Sequence, residues 1–136
     1  MRPVLLIAEG DLDLRSAYAR LCVHRGLSAD TVSDGLECLK RLAARPPDVL
    51  LVDLDILWGG GDGVVACARD GARGTIRPAI FVTGFESPHV LSRRSGVSVE
   101  NCIQKPFRVG GLLDLVSAAL TMDHEASGHV AAVAPA

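Results

Sequence analysis

Lysine is nearly missing from this chain of 136 residues: only Lys40 and Lys105 occur, and the remaining basic charge is arginine. The 14 basic and 16 acidic residues give a formal net charge of -2, which removes the electrostatic case for nucleic acid as the main partner. No apolar run approaches the ~20 residues that a membrane span requires. Met1-Arg2-Pro3 leads into a short strand instead of a secretory h-region, so the expectation is a cytoplasmic protein with no membrane partner. Cys22, Cys38, Cys67 and Cys102 contain no Cys-x-x-Cys pair, which fits neither a zinc site nor a redox motif and leaves reduced, mostly buried thiols. No Gly-Lys-Ser or Gly-Lys-Thr follows Gly59-Gly60-Gly61-Asp62-Gly63. A phosphate-cradling P-loop is therefore excluded, and a flexible, lengthened loop is expected there.

What is present is a globular composition, 49% apolar and 22% charged, of a length that fits one domain with a buried core. Val4 to Ala8 predicts a short strand, followed by Leu14, Ala17, Tyr18 and Leu21 at helical spacing until Gly26. Ser28 to Ser33 predicts a weak second strand, Asp34-Gly35 a turn or cap, and Leu36, Leu39 and Leu42 carry a helix to Arg45-Pro46-Pro47. Val49 to Asp53 is the third strand, apolar throughout until its last residue. A short helix is expected over Val64 to Arg69, a polar connection over Gly71 to Arg77 and a fourth strand over Pro78 to Thr83. Ser87 and Pro88 cap a helix reaching about Ser95. Glu100 to Gln104 is the fifth strand, and Val109 to Leu120 the last helix. Periodicity is lost at Thr121, which sets a domain over 1–120 and a flexible tail or linker over 121–136. Five strands alternating with helices imply a parallel sheet covered on both faces.

Parallel strands present the same end to the same side. Glu9 and Asp11 after the first strand, Asp53 and Asp55 at the third, Thr83 at the fourth and Lys105 after the fifth should therefore converge on one edge, where ligands of such sheets sit. Gathered carboxylates need a cation, and oxygen-only ligands suit Mg²⁺. Asp53 is the candidate nucleophile toward a phosphoryl group, giving an acyl phosphate. The Thr83 hydroxyl, the Lys105 ammonium and loop N–H groups are the candidate donors to the phosphoryl oxygens. His24 and His89 are expected at the surface, His124 and His129 in the tail, and Arg93-Arg94 on a solvated helix face.

Leu-Leu-Val-Asp-Leu around Asp53, the Asp62-Gly63 turn, Phe-Val-Thr-Gly ending at Gly84 and Gln-Lys-Pro-Phe around Lys105, in this order and spacing, resemble the receiver domain of two-component response regulators. The resemblance covers residues 3 to about 120. It implies a doubly wound, flavodoxin-like α/β fold of strand order 2-1-3-4-5. Asp53 would take the phosphoacceptor position, Thr83 the switch hydroxyl and Lys105 the partner of the phosphoryl group, with a Lys105–Pro106 bond that is commonly cis. Glu9, Asp11, Asp53 and Asp55 would be the metal set for Mg²⁺, with Asp55 lending its backbone carbonyl and its extra carboxylate compensating for the acidic residue missing beside Glu9. The implied partners are a sensor histidine kinase or phosphotransfer protein and an output partner the sequence does not name. The chain would signal without being an enzyme.

Several positions depart from that pattern. Two adjacent acidic residues usually end strand one, and here Glu9 is followed by Gly10. The loop after Asp53 is about two residues longer and carries Trp58, either a partner contact or lid, or a ring packed on its own domain. Cys102 replaces the aromatic residue usual three positions before the lysine. The alternative is a degenerate receiver that acts as a phosphorylation-independent interaction module. Asp53-Leu54-Asp55, Thr83 and a later lysine are also similar to haloacid dehalogenase phosphatases, but after Lys105 only Asp114 lies within the expected domain where those enzymes need an acidic cluster. A flavin-binding relative would want a hydroxyl-rich loop where Glu9 and Asp11 would repel the phosphate.

Overall fold

The fold is that of a computed structural model, which describes residues 3–58, 60–70 and 78–126. Five parallel strands, β1 (Val4–Ala8), β2 (Ser28–Val32), β3 (Val49–Asp53), β4 (Ala79–Gly84) and β5 (Cys102–Gln104), form one sheet of order 2-1-3-4-5. Between and after them run α1 (Leu12–His24), α2 (Gly35–Ala44), α3 (Gly60–Asp70), α4 (Pro88–Ser95) and α5 (Val109–Ala126). This is the flavodoxin-like, doubly wound architecture that the resemblance implies, and it gives the parallel sheet covered on both faces expected from the alternation.

Side chains of a strand alternate between faces, and the core divides accordingly. Leu5, Ile7, Val49, Leu51 and Phe81 pack with Tyr18 and Cys22 of α1 and with Leu112, Leu113 and Val116 of α5. Leu6, Leu50, Val52 and Val82 pack on the other face with Cys38, Val64, Val65 and Leu91 of α2, α3 and α4. β3 is central and buried at every residue, which is why its sequence is a continuous apolar run.

Local signals place most element ends. Asp11, Asp34 and Ser87 each accept a backbone N–H of the first turn that follows, from Leu14, Glu37 and Val90, and Gly96 ends α4 at φ 75. Three expectations are corrected. The third helix starts at Gly60, not Val64, because Gly61 N–H bonds to the Leu54 carbonyl at 3.2 Å and docks this turn on β3. Val99–Asn101 forms a 3-10 turn, which shortens the fifth strand to Cys102–Gln104. The last helix runs past Leu120 to Ala126. The expected connection over 71–77, Gly59, and the tail from 127 with His129 lie outside the described residues.

Candidate functional site

The period-2 pattern of the strands assembles the site. Glu9, Asp53, Thr83 and Lys105 each lie two residues beyond Ile7, Leu51, Phe81 and Ile103, all of which face α1 and α5. Their side chains accordingly project to the same side of the sheet's C-terminal edge. Pairing keeps them level: Asp53 and Thr83 are register partners, and the Lys105 N–H donates to the Gly84 carbonyl at 2.7 Å. The Lys105–Pro106 peptide bond is cis.

The Lys105 ammonium sits between two carboxylates, 3.1 Å from Glu9 Oε1 and 3.1 Å from Asp53 Oδ2. All three side chains are less than a tenth exposed. Asp53 Oδ1 accepts the Asp55 N–H at 2.9 Å, and Glu9 Oε2 accepts the Asp11 N–H at 3.0 Å. Arg15 holds the turn after β1 by donating to the Glu9 carbonyl at 2.9 Å and the Gly10 carbonyl at 3.3 Å. Thr83 Oγ1 is buried and has no hydrogen-bond partner, an arrangement that costs about 1–3 kcal/mol and leaves a donor free beside Asp53. The Phe85 ring lies 5.4 Å from Lys105 Nζ.

Of the four carboxylates expected around a metal, two reach this hollow. The Asp11 carboxylate accepts the Leu14 N–H at 3.0 Å and is spent on capping α1. That of Asp55 is turned to the Arg94 guanidinium at 3.4 Å. Among the described residues no three His, Cys, Asp or Glu side chains gather as a ligand set. The remaining pair suits a hard cation nonetheless, because Mg²⁺ is usually held by one or two carboxylates completed by water and phosphate oxygens. Glu9 and Asp53 are the residues that would hold it. Trp58 is 72% exposed at φ 60, so its indole is not packed on its own domain. The neighbouring Leu57 carbonyl accepts the Gly35 N–H at 2.7 Å, tying this loop to α2.

Burial raises the Glu9 pKa and the nearby Asp53 charge adds to that, against the lowering effects of the Asp11 N–H and Lys105. Burial also works against the Lys105 charge, but Asp53 and Glu9 outweigh it and hold the ammonium above its ordinary pKa. A carboxyl with a raised pKa binds its proton more tightly in the folded state than in the unfolded chain. Its stabilising contribution is present below the unfolded value of 4.5 and is lost as pH rises through the folded value. In metal-free buffer, Glu9→Gln should therefore gain stability relative to the wild type as pH is raised from 4.5 to 7. Urea unfolding across that range reads the difference, and parallel pH profiles would contradict the assignment.

Two residues at this edge carried no local signal in the sequence. Arg94, expected on a solvated face, reaches Asp55, Asp62 and Glu86, and those acids lie up to 39 positions away. Tyr18 is legible as helix core but not as what it is, a buried hydroxyl without a partner, whose pKa is raised by burial first and by Glu9 and Asp53 after that.

Residues 5–117 match the family model described as the response regulator receiver domain. Over 133 residues the chain is 28% identical to the response regulator MprA of Mycobacterium ulcerans (strain Agy99), covering 93% of this chain and 56% of that protein. Over 120 residues it is 27% identical to the DNA-binding transcriptional regulator NtrC of Escherichia coli (strain K12), covering 88% of this chain and 25% of NtrC. It thus spans about half the length of the one and a quarter of the other. The chemotaxis response regulator CheY4 of Vibrio cholerae superposes with a TM-score of 0.74 at 19% identity, over 87% of this chain and 98% of that one. The Francisella response regulator 1452 receiver domain gives 0.76 at 18%, over 90% and 99%. At such identities it is the fold that is shared.

Proposed function

Because the chain belongs to the response regulator receiver domain family, we propose that it is a phosphorylation-controlled signalling domain in which Asp53 accepts a phosphoryl group from a sensor histidine kinase or phosphotransfer protein. The observation that carries this is the buried trio of Asp53, Lys105 and the unpartnered Thr83 hydroxyl. In the transfer, Asp53 Oδ2 attacks phosphorus, the bond from phosphorus to the donor's imidazole nitrogen breaks, and the electron pair leaves with that nitrogen. Lys105, already 3.1 Å from the attacking oxygen, pairs with the negative charge of the phosphoryl oxygens, and the free Thr83 hydroxyl donates to another. Burial of the three side chains restricts water at the acyl phosphate. Mg²⁺ held by Glu9 and Asp53 would supply further positive charge against the phosphoryl oxygens.

Incubation with acetyl phosphate and Mg²⁺ tests the reading by intact mass. The wild type should gain one phosphoryl group, and Asp53→Asn should gain none. A wild type that takes up no phosphoryl group from acetyl phosphate or from a phosphorylated donor protein would instead favour a phosphorylation-independent module.

A further inference from the structure

A receiver is useful only if the state of its phosphoacceptor reaches another surface, and Cys102 cannot carry that message as an aromatic ring would. Its side chain is short and buried, with Sγ 3.4 Å from the Ser98 carbonyl and 3.6 Å from that of Val97. A different link stands over the phosphoacceptor loop. From α4, Arg94 Nη1 contacts Asp55 Oδ1 at 3.4 Å and pairs with Glu86, while Nη2 lies 3.5 Å from Asp62 Oδ1 and 3.5 Å from the Leu54 carbonyl. One guanidinium thus joins α4 to the loop after β3, the first turn of α3 and the loop before α4. The path to the reacting atom is short, since the N–H of Asp55 is the group that orients Asp53 Oδ1. α4 is also seated beside Thr83, where the absence of a side chain on Gly84 lets Leu91 approach: a Cβ there would lie 2.6 Å from Leu91 Cδ2.

We propose that Arg94 is the positioning residue that couples the phosphorylation state of Asp53 to α4, an inference that rests on the phosphoacceptor role given above. Converting the Asp53 carboxylate to an acyl phosphate exchanges one negative charge for about two. The added charge repels the Asp55 carboxylate and draws the guanidinium toward the phosphoryl oxygens, so the Arg94 contacts to Asp62 and Glu86 give way and α4 loses its tie to the first turn of α3 and to the loop before it. Arginine suits this role because its planar fork serves several acceptors at once, which a lysine ammonium does not. Each exposed pair contributes little alone, so the tie can be broken by one new charge.

Amide hydrogen exchange of residues 88–95, measured with and without acetyl phosphate on samples whose adduct is followed by mass, tests the proposal. In the wild type, phosphorylation should speed exchange in α4 by about fivefold, the equivalent of a surface network of roughly 1 kcal/mol. Arg94→Gln should show the faster exchange before phosphorylation and little further change after it, with phosphoryl uptake retained. Arg94→Lys should lie nearer to Gln than to the wild type. Full phosphorylation of Arg94→Gln with a wild-type change in α4 exchange would overturn the coupling. Absence of the adduct from the wild type would instead overturn the phosphoacceptor role, and the coupling with it.

Discussion

Lys105→Met should lower the unfolding free energy by about 3–5 kcal/mol at pH 7, the usual consequence of deleting one partner from a buried ionic cluster. Methionine replaces most of the lysine stem but not its charge. Glu9 and Asp53, at 1% and 7% exposure, would then face each other as like charges without the ammonium that lies 3.1 Å from both. The loss should shrink as pH falls. Lys105 is one of the influences lowering the Glu9 pKa, so removing it raises that pKa further and acid relieves the repulsion by protonation. Urea unfolding at pH 7 and pH 4.5 measures both effects. A loss below about 1 kcal/mol at pH 7, the range of exposed ion pairs, would mean that the lysine is not part of a buried cluster.

A second large effect should come from a single methyl group. Gly61→Ala places a Cβ 2.3 Å from the Leu54 Cα and 2.7 Å from the Asp53 carbonyl. Neither is the end of a flexible side chain, so the backbone bearing the phosphoacceptor must move. Overpacking of this kind costs about 1–3 kcal/mol, and more where the backbone is caught. Displacing Asp53 from Lys105 should reduce phosphoryl uptake as well. Gly63→Ala, two residues along the same helix, meets nothing within 4 Å and should stabilise by about 0.5–1 kcal/mol through helix propensity alone. Thermal unfolding of the two variants should move in opposite directions; equal shifts would show that α3 does not press on the end of β3.

The same contact explains where sequence reasoning stopped. Three glycines after Trp58 argue for a loop on propensity, yet α3 begins at Gly60, which takes a left-handed φ of 61, and Gly61 lies where only a residue without a side chain can approach Leu54 so closely. The strands, the caps at Asp34 and Ser87 and the convergence of Glu9, Asp53, Thr83 and Lys105 were legible, since each depends on local pattern or on strands sharing one direction. For Asp11, expected among the metal ligands, a competing local role as a helix cap won. Its place three residues before Leu14 is an N-cap spacing, and the cap took its carboxylate. For Asp55 no nearby residue showed that its partner would be Arg94, because that pairing exists only once α4 packs against β4 and α3, which brings it over the loop after β3. The end of α5 was lost for a simpler reason, in that polar residues after Thr121 broke the apolar spacing without breaking the helix.

Borohydride trapping tests the phosphoacceptor assignment most directly. Reduction of an acyl phosphate converts an aspartyl side chain to that of homoserine, and tandem mass spectrometry of the digested protein locates the conversion. After treatment with acetyl phosphate and Mg²⁺, homoserine should be found at position 53 and at no other acidic residue. Homoserine at Asp55 or Asp11 with Asp53 intact, the corresponding hydroxynorvaline at Glu9, or no conversion in a protein carrying the mass of a phosphoryl group, would contradict the assignment.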